Sequence, residues 1–281
     1  MAALLDWLPA RRARSKELAR FRARRDANAV AARARLGEPL RFAYGASAIE
    51  RLDVYRAPQA GAPVFVFFHG GGWISGDAAG AGAYAEPFVA RGATFIAPDF
   101  SPVDRAGGDL NVLAEQVRRA VAWVWNNAAT FGADRDRLYV GGHSSGAHLC
   151  SLALVTDWIP RGLQPDAIKG GICMSGMFEL AAFRRSARRR YVRFTDTVVE
   201  ELSPLRHVER LRAPVVVTYG TDELPDFQIQ SRAFAAAIER AGKAVELIAA
   251  TGYDHFEMGE SLASPYGPNG RAALKLMGLC R

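Results

Sequence analysis

The chain of 281 residues is 49% hydrophobic and 23% charged, with 14 prolines and three cysteines. Those proportions exclude a collagen, a disordered chain and a disulfide-stapled mini-protein, since a chain of this size buries about 75% of its unfolded surface unaided. No apolar run reaches the ~20 residues of a membrane helix, and the net charge of +7 resides in residues 1–36, because the rest holds 26 basic and 26 acidic residues.

Residues 1–37 read as a basic helical segment with Arg11, Arg12, Arg14, Lys16, Arg20, Arg22, Arg24, Arg25, Arg33 and Arg35. The expected state is a solvated helix face, with nucleic-acid or anionic-membrane binding through residues 11–35 as the functional rival. An Arg-rich, acid-poor start also imitates a transit peptide, but no apolar secretory core follows Met1, so the expected compartment is the cytoplasm.

Further along, residues 50–56 read as a strand of mixed polarity. Residues 63–68 form a short, continuous apolar run, as expected of a strand covered on both faces. Similar runs occupy 93–97, 138–141, 168–174, 213–219 and 245–249. Between them lie helical patterns at 112–125, 147–155, 227–241 and 270–279. The alternation predicts one α/β domain over 1–281, a mostly parallel central sheet with helices on both faces. Residues 177–208, with six arginines between 184 and 193, break the rhythm and read as a small cap insertion. Those arginines fit a solvated face, or one of them pairing with a substrate carboxylate. Cys150, Cys173 and Cys280 are an odd number with no close pair, which fits neither a disulfide framework nor a zinc site, and Cys150 and Cys173 lie in apolar segments where a buried thiol is expected.

Gly142-His143-Ser144-Ser145-Gly146 stands between a strand and a helix, the context a nucleophile elbow requires. So tight a turn needs glycines beside the serine, and it lifts the hydroxyl to a helix N-terminus that favours a developing anion. His69-Gly70-Gly71-Gly72-Trp73 ends an earlier strand, 75 residues before Ser144. With the N–H of Ser145, those of Gly71 and Gly72 would form an oxyanion hole, each donor contributing about 3 kcal/mol to the transition state. A phosphate loop does not fit, because no Lys-Ser/Thr follows. Of five histidines, His255 lies in a loop after the last strand, from where it can reach Ser144 as the base. The acid that orients it should follow the 213–219 strand, where Asp222 and Glu223 both stand. Glu223, three residues after Gly220, is the preferred candidate and Asp222 the alternative.

Together these motifs resemble the α/β-hydrolase superfamily, in the HGGG branch of hormone-sensitive-lipase-like esterases and kynurenine formamidases (arylformamidases). The resemblance spans roughly residues 40–280. Gly142–His148, Pro225-Asp226-Phe227, Gln230 and His255-Phe256 are closest to the arylformamidase version. That family places a Pro-acid-Phe two residues after its acid, which again implies Glu223, although its acid is usually Asp. Arylformamidases release formate from N-formylkynurenine, an aromatic substrate that Trp73, Tyr253 or Phe256 could flank. Many relatives act instead on simple aryl or short acyl esters.

The expected function is that of a serine hydrolase cleaving small acyl esters with aromatic leaving groups through an acyl-enzyme, without metal or organic cofactor. Expected site residues are Ser144, Glu223 and His255, with Gly71, Gly72 and Ser145 at the oxyanion and Trp73 and Phe256 at the substrate. A dedicated arylformamidase is the rival within enzymes, and a non-catalytic binding protein on a hydrolase fold the rival outside them. The expected partner is a small ester or aryl formamide, with no nucleic acid, no membrane and at most a second copy of the chain.

Overall fold

The computed structural model describes residues 8–280, with side chains from Leu18 onward. Its strands are β1 (Leu40–Ala43), β2 (Arg51–Tyr55), β3 (Ala62–Phe68), β4 (Thr94–Pro98), β5 (Ala133–His143), β6 (Ile168–Met174), β7 (Val215–Gly220) and β8 (Val245–Ala250). The helices are α1 (Leu8–Leu36), α2 (Ala78–Ala81), α3 (Ala85–Ala90), α4 (Leu110–Asn127), α5 (Ser145–Leu154), α6 (Asp196–Glu201), α7 (Pro225–Arg240), α8 (His255–Glu260) and α9 (Pro268–Leu276). One sheet runs β1-β2-β4-β3-β5-β6-β7-β8. The pairings of β1 with β2 and of β2 with β4 are antiparallel, and all later ones are parallel.

The side-chain period of two divides the core into two layers. Along β3, Val64, Val66 and Phe68 join α4, α5 and α7 on one face of the sheet. Phe65 and Phe67 point to the other face, where α2, α3 and α9 cover them, with Phe65 stacked on Phe88 at 4.3 Å. Continuous apolar runs therefore mark the strands buried on both sides. β1, α2, α3 and α8 are too short to show a period, and the exposed residues 135–137 hide the start of β5. At α4 the Asp109 carboxylate accepts the Asn111 N–H at 2.9 Å, a cap contributing about 1 kcal/mol.

The basic N-terminal helix is docked rather than solvated around its circumference. Ala29 and Ala32 are buried against the layer that holds α2 and α3. Arg24 grips Glu260 through two bonds of 2.7 and 3.0 Å, Arg35 reaches Glu86 at 2.9 Å, and Phe21 stacks on Phe256 at 5.1 Å. Small alanines let α1 approach closely while its arginines pair at the edges. Cys150 on α5 and Cys173 on β6 are free and buried as expected, with their sulfurs 3.9 Å apart inside the core, while Cys280 is exposed. Burial pushes the Cys150 thiol well above its ordinary pKa.

Residues 177–208 fold as short 3-10 turns, Leu180–Arg185 and Ala187–Arg190, followed by α6. Arg184 pairs there with Asp196 at 2.5 Å. Among the described residues, no helix is long and apolar enough to cross a membrane.

Candidate active site

Ser144 occupies the bend between β5 and α5, with φ 57° and ψ −121°. A left-handed φ at a non-glycine residue costs of order 1–3 kcal/mol and persists only where the surroundings enforce it. Here the Ser144 N–H donates to Met174 O on β6 at 2.9 Å, and the first turn of α5 closes on its carbonyl through Ala147 at 3.0 Å. The bend is so close to β3 that a Cβ at Gly146 would lie 2.0 Å from Phe68 O. That contact is the physical reason for the glycine.

The position of His255 is set by a helix start. Asp254 caps α8, accepting from the N–H groups of Phe256 and Glu257 at 2.7 and 2.8 Å, while Glu257 returns a bond to the Asp254 N–H at 2.9 Å. This capping box of Asp254-His255-Phe256-Glu257 holds His255 as the first helical residue. The imidazole faces Phe227 of α7 at 4.0 Å and the His143 ring at 4.7 Å. Its Nε2 lies 2.9 Å from Ser144 Oγ, placed to accept the hydroxyl proton.

On the opposite side of the ring, Nδ1 lies 3.4 Å from Glu223 Oε2. That is long for a charge-assisted bond, and such contacts often tighten only when substrate is bound. The Glu223 side chain has no solvent exposure. Its Oε1 accepts the Gly220 N–H at 3.1 Å and the Ser175 hydroxyl, so the carboxylate is turned back onto the end of its own strand. Asp222 is exposed and takes a bond from Thr221 Oγ1 at 3.2 Å. The two neighbouring acids thus face opposite surroundings, and only Glu223 meets the imidazole.

The loop after β3 curls tightly. Gly71 adopts φ 122°, and a Cβ there would lie 2.1 Å from Ser75 O. Among the described residues, none accepts the N–H of Gly71 or Gly72. Ser145 begins α5, where the N–H has no partner within the helix. Gly71 and Gly72 line the same cavity as Ser144. Trp73, expected at the substrate, is instead 2% exposed and absent from the cavity lining. Its indole N–H donates to His148 Nδ1 at 3.3 Å, which turns the ring into the core. His148 in turn donates Nε2–H to Leu202 O at 2.8 Å, and burial lowers its pKa to about 4.

A cavity of about 300 Å³ opens onto Ser144 and His255. Phe21, Phe67, Tyr84, Tyr191 and Phe256 give it aromatic walls, and Arg22, Arg25 and Arg188 give it charge. Phe256 is where the sequence places it, whereas Tyr253 lies outside this lining. Among the described residues, no group of three His, Cys, Asp or Glu could hold a metal ion.

Three contributors escaped the sequence reading. Ser175, at φ 53° just after β6, holds Glu223. His143 is buried, which pushes its pKa well below the ordinary histidine value, and its Nε2–H donates to the His255 carbonyl at 2.8 Å. His148 braces the Gly-rich loop through Trp73. Only the histidines within Gly142–His148 carried a signal, as polar residues in an apolar segment. For the motif residue Gln230, Oε1 accepts the N–H groups of Phe178 and Glu179, both at 2.8 Å, fastening the start of the 177–208 segment.

A kynurenine formamidase of Danio rerio is 30% identical over 242 residues, covering 84% of this chain and 80% of its own. The chain belongs to the α/β-hydrolase family. The family model described as BD-FAE matches residues 52–160 of the hydrolase. Esterase LipC of Mycobacterium tuberculosis is 30% identical over 225 residues, 75% of this chain and 55% of its own length. In fold, the hydrolase is similar to a hyperthermophilic esterase from the archaeon Pyrobaculum calidifontis. The TM-score is 0.71 at 18% identity, covering 92% of this chain and 90% of the other.

Proposed function

We propose that this hydrolase cleaves small acyl groups from aromatic leaving groups through an acyl-enzyme on Ser144. The observation that carries the reading is the 2.9 Å approach of His255 Nε2 to Ser144 Oγ, with the buried Glu223 on the far side of the ring. His255 takes the serine proton as Oγ attacks the carbonyl carbon. Glu223 keeps Nδ1 protonated and stabilises the imidazolium that forms. The N–H groups of Gly71, Gly72 and Ser145 hold the oxyanion. His255 then returns the proton to the departing oxygen or nitrogen, and water releases the acyl group by the same steps in reverse.

Esters of short acids are the first reading, and the aromatic cavity walls support an aryl leaving group. Aryl formamides are the second, favoured by the similarity to kynurenine formamidases across most of both chains. Ser144→Ala should keep the fold and lower p-nitrophenyl acetate hydrolysis by roughly 10⁴-fold or more. Retained turnover would overturn the nucleophile assignment. Rates of the parent enzyme on phenyl acetate beside formanilide then separate the two substrate classes.

A further inference from the structure

Three cationic side chains line the cavity at Ser144, and among the described residues no carboxylate does. Arg22 and Arg25 come from α1, and Arg188 from the turn Ala187–Arg190. A cleft lined by one sign of charge, with apolar walls between, concentrates field lines on whatever binds there.

The α1 arginines are placed rather than scattered. Arg22 donates Nη2–H to Ser75 Oγ at 3.2 Å, and Ser75 itself donates to Gly71 O at 3.1 Å, so this guanidinium stands against the oxyanion loop. Arg25 packs over α2, where a Cβ at Gly80 would lie 2.7 Å from its Nε. Its bonds to Asp26 use Nε and Nη2, and Asp26 is exposed and outside the cavity lining. A solvated neighbour of that kind neutralises little of the charge facing inward. The remaining α1 arginines with described carboxylate partners, Arg24, Arg33 and Arg35, meet Glu260, Glu38 and Glu86 outside the lining. The helix therefore sorts its charges: some fasten it, and Arg22 and Arg25 face the site.

We propose that α1 is a specificity element, and that Arg22 and Arg25 select substrates whose aromatic leaving group carries a carboxylate. The inference rests on Ser144 hydrolysis as described above. A guanidinium fork suits a carboxylate better than any neutral group of the same shape.

The test uses 3- and 4-acetoxybenzoate, each beside its neutral isostere, the acetoxybenzamide, on the full-length enzyme at low and high salt. The parent should favour at least one acid over its amide by roughly tenfold in kcat/KM, with the preference shrinking as salt rises. In the Arg22→Gln/Arg25→Gln variant that ratio should fall to about one. Arg24→Gln, which loosens the docking without touching the lining, should keep it. An equal rate on acid and amide in the parent, or a ratio unchanged in the double variant, would overturn the proposal. Absence of any acetate release from phenyl acetate by the parent would instead sink the hydrolase reading beneath it, so the two failures are distinct.

Discussion

The ring of His143 donates to the backbone carbonyl of His255 at 2.8 Å, so the residue beside the serine holds the main chain of the histidine that approaches it. Because burial keeps His143 uncharged, one nitrogen donates and the ring adds no positive charge next to His255. His143→Phe should lower kcat for p-nitrophenyl acetate by about tenfold with little change in KM, as expected when geometry rather than binding is lost. His143→Gln, which keeps a donor, should recover part of that loss. Equal damage from both substitutions would reduce His143 to a packing residue.

The contrast between Glu223 and Asp222 is open to direct measurement. Glu223→Gln keeps the shape and removes the charge, and kcat should fall by roughly 10²–10⁴-fold. Asp222→Asn, in an exposed carboxylate, should change kcat by less than about threefold. A reversed order would move the orienting role to Asp222.

His148 predicts an acid-sensitive stability. Its folded pKa of about 4 lies below the value near 6.5 of an unfolded histidine. Between those limits the unfolded chain binds the extra proton, so stability is full above about pH 6.5 and falls as pH drops towards 4. The loss for this one ring approaches about 3 kcal/mol, and protonation also removes the acceptor for Trp73. Thermal unfolding followed from pH 7 to 4.5 should show Tm falling steeply, and His148→Gln should flatten that dependence. A Tm that is level to pH 4.5 would contradict the assignment.

Gly146→Ala should cost about 3 kcal/mol or more, because the new Cβ would meet Phe68 O at 2.0 Å in the tightest part of the elbow. Gly162, at φ 76° with nothing within 4 Å, is the control: its Ala variant should lose only the smaller backbone penalty. Urea unfolding of the two variants separates steric from conformational cost.

Residues with a local physical signature were legible in the sequence. Apolar runs marked the strands buried on both faces, and Gly142–Gly146 with His69–Trp73 marked the two loops that meet at Ser144. What escaped depends on contacts distant in the chain. Nothing local tells that Trp73 turns inward, since the cause is His148, 75 positions later. The Ala- and Arg-rich pattern of α1 reads as solvated because its docking relies on Phe21, two small residues and partners near Glu86 and Glu260. Ser175 needed the end of β7 beside it before its hydroxyl had a carboxylate to meet.

The six-residue α8 is clamped near both ends by α1, through Phe21 on Phe256 and Arg24 on Glu260. His255 is the first residue of that short rod. Loosening α1 at Phe21 or Arg24 should therefore be felt as slower turnover, because the imidazole shares one mechanical linkage with that stretch of helix.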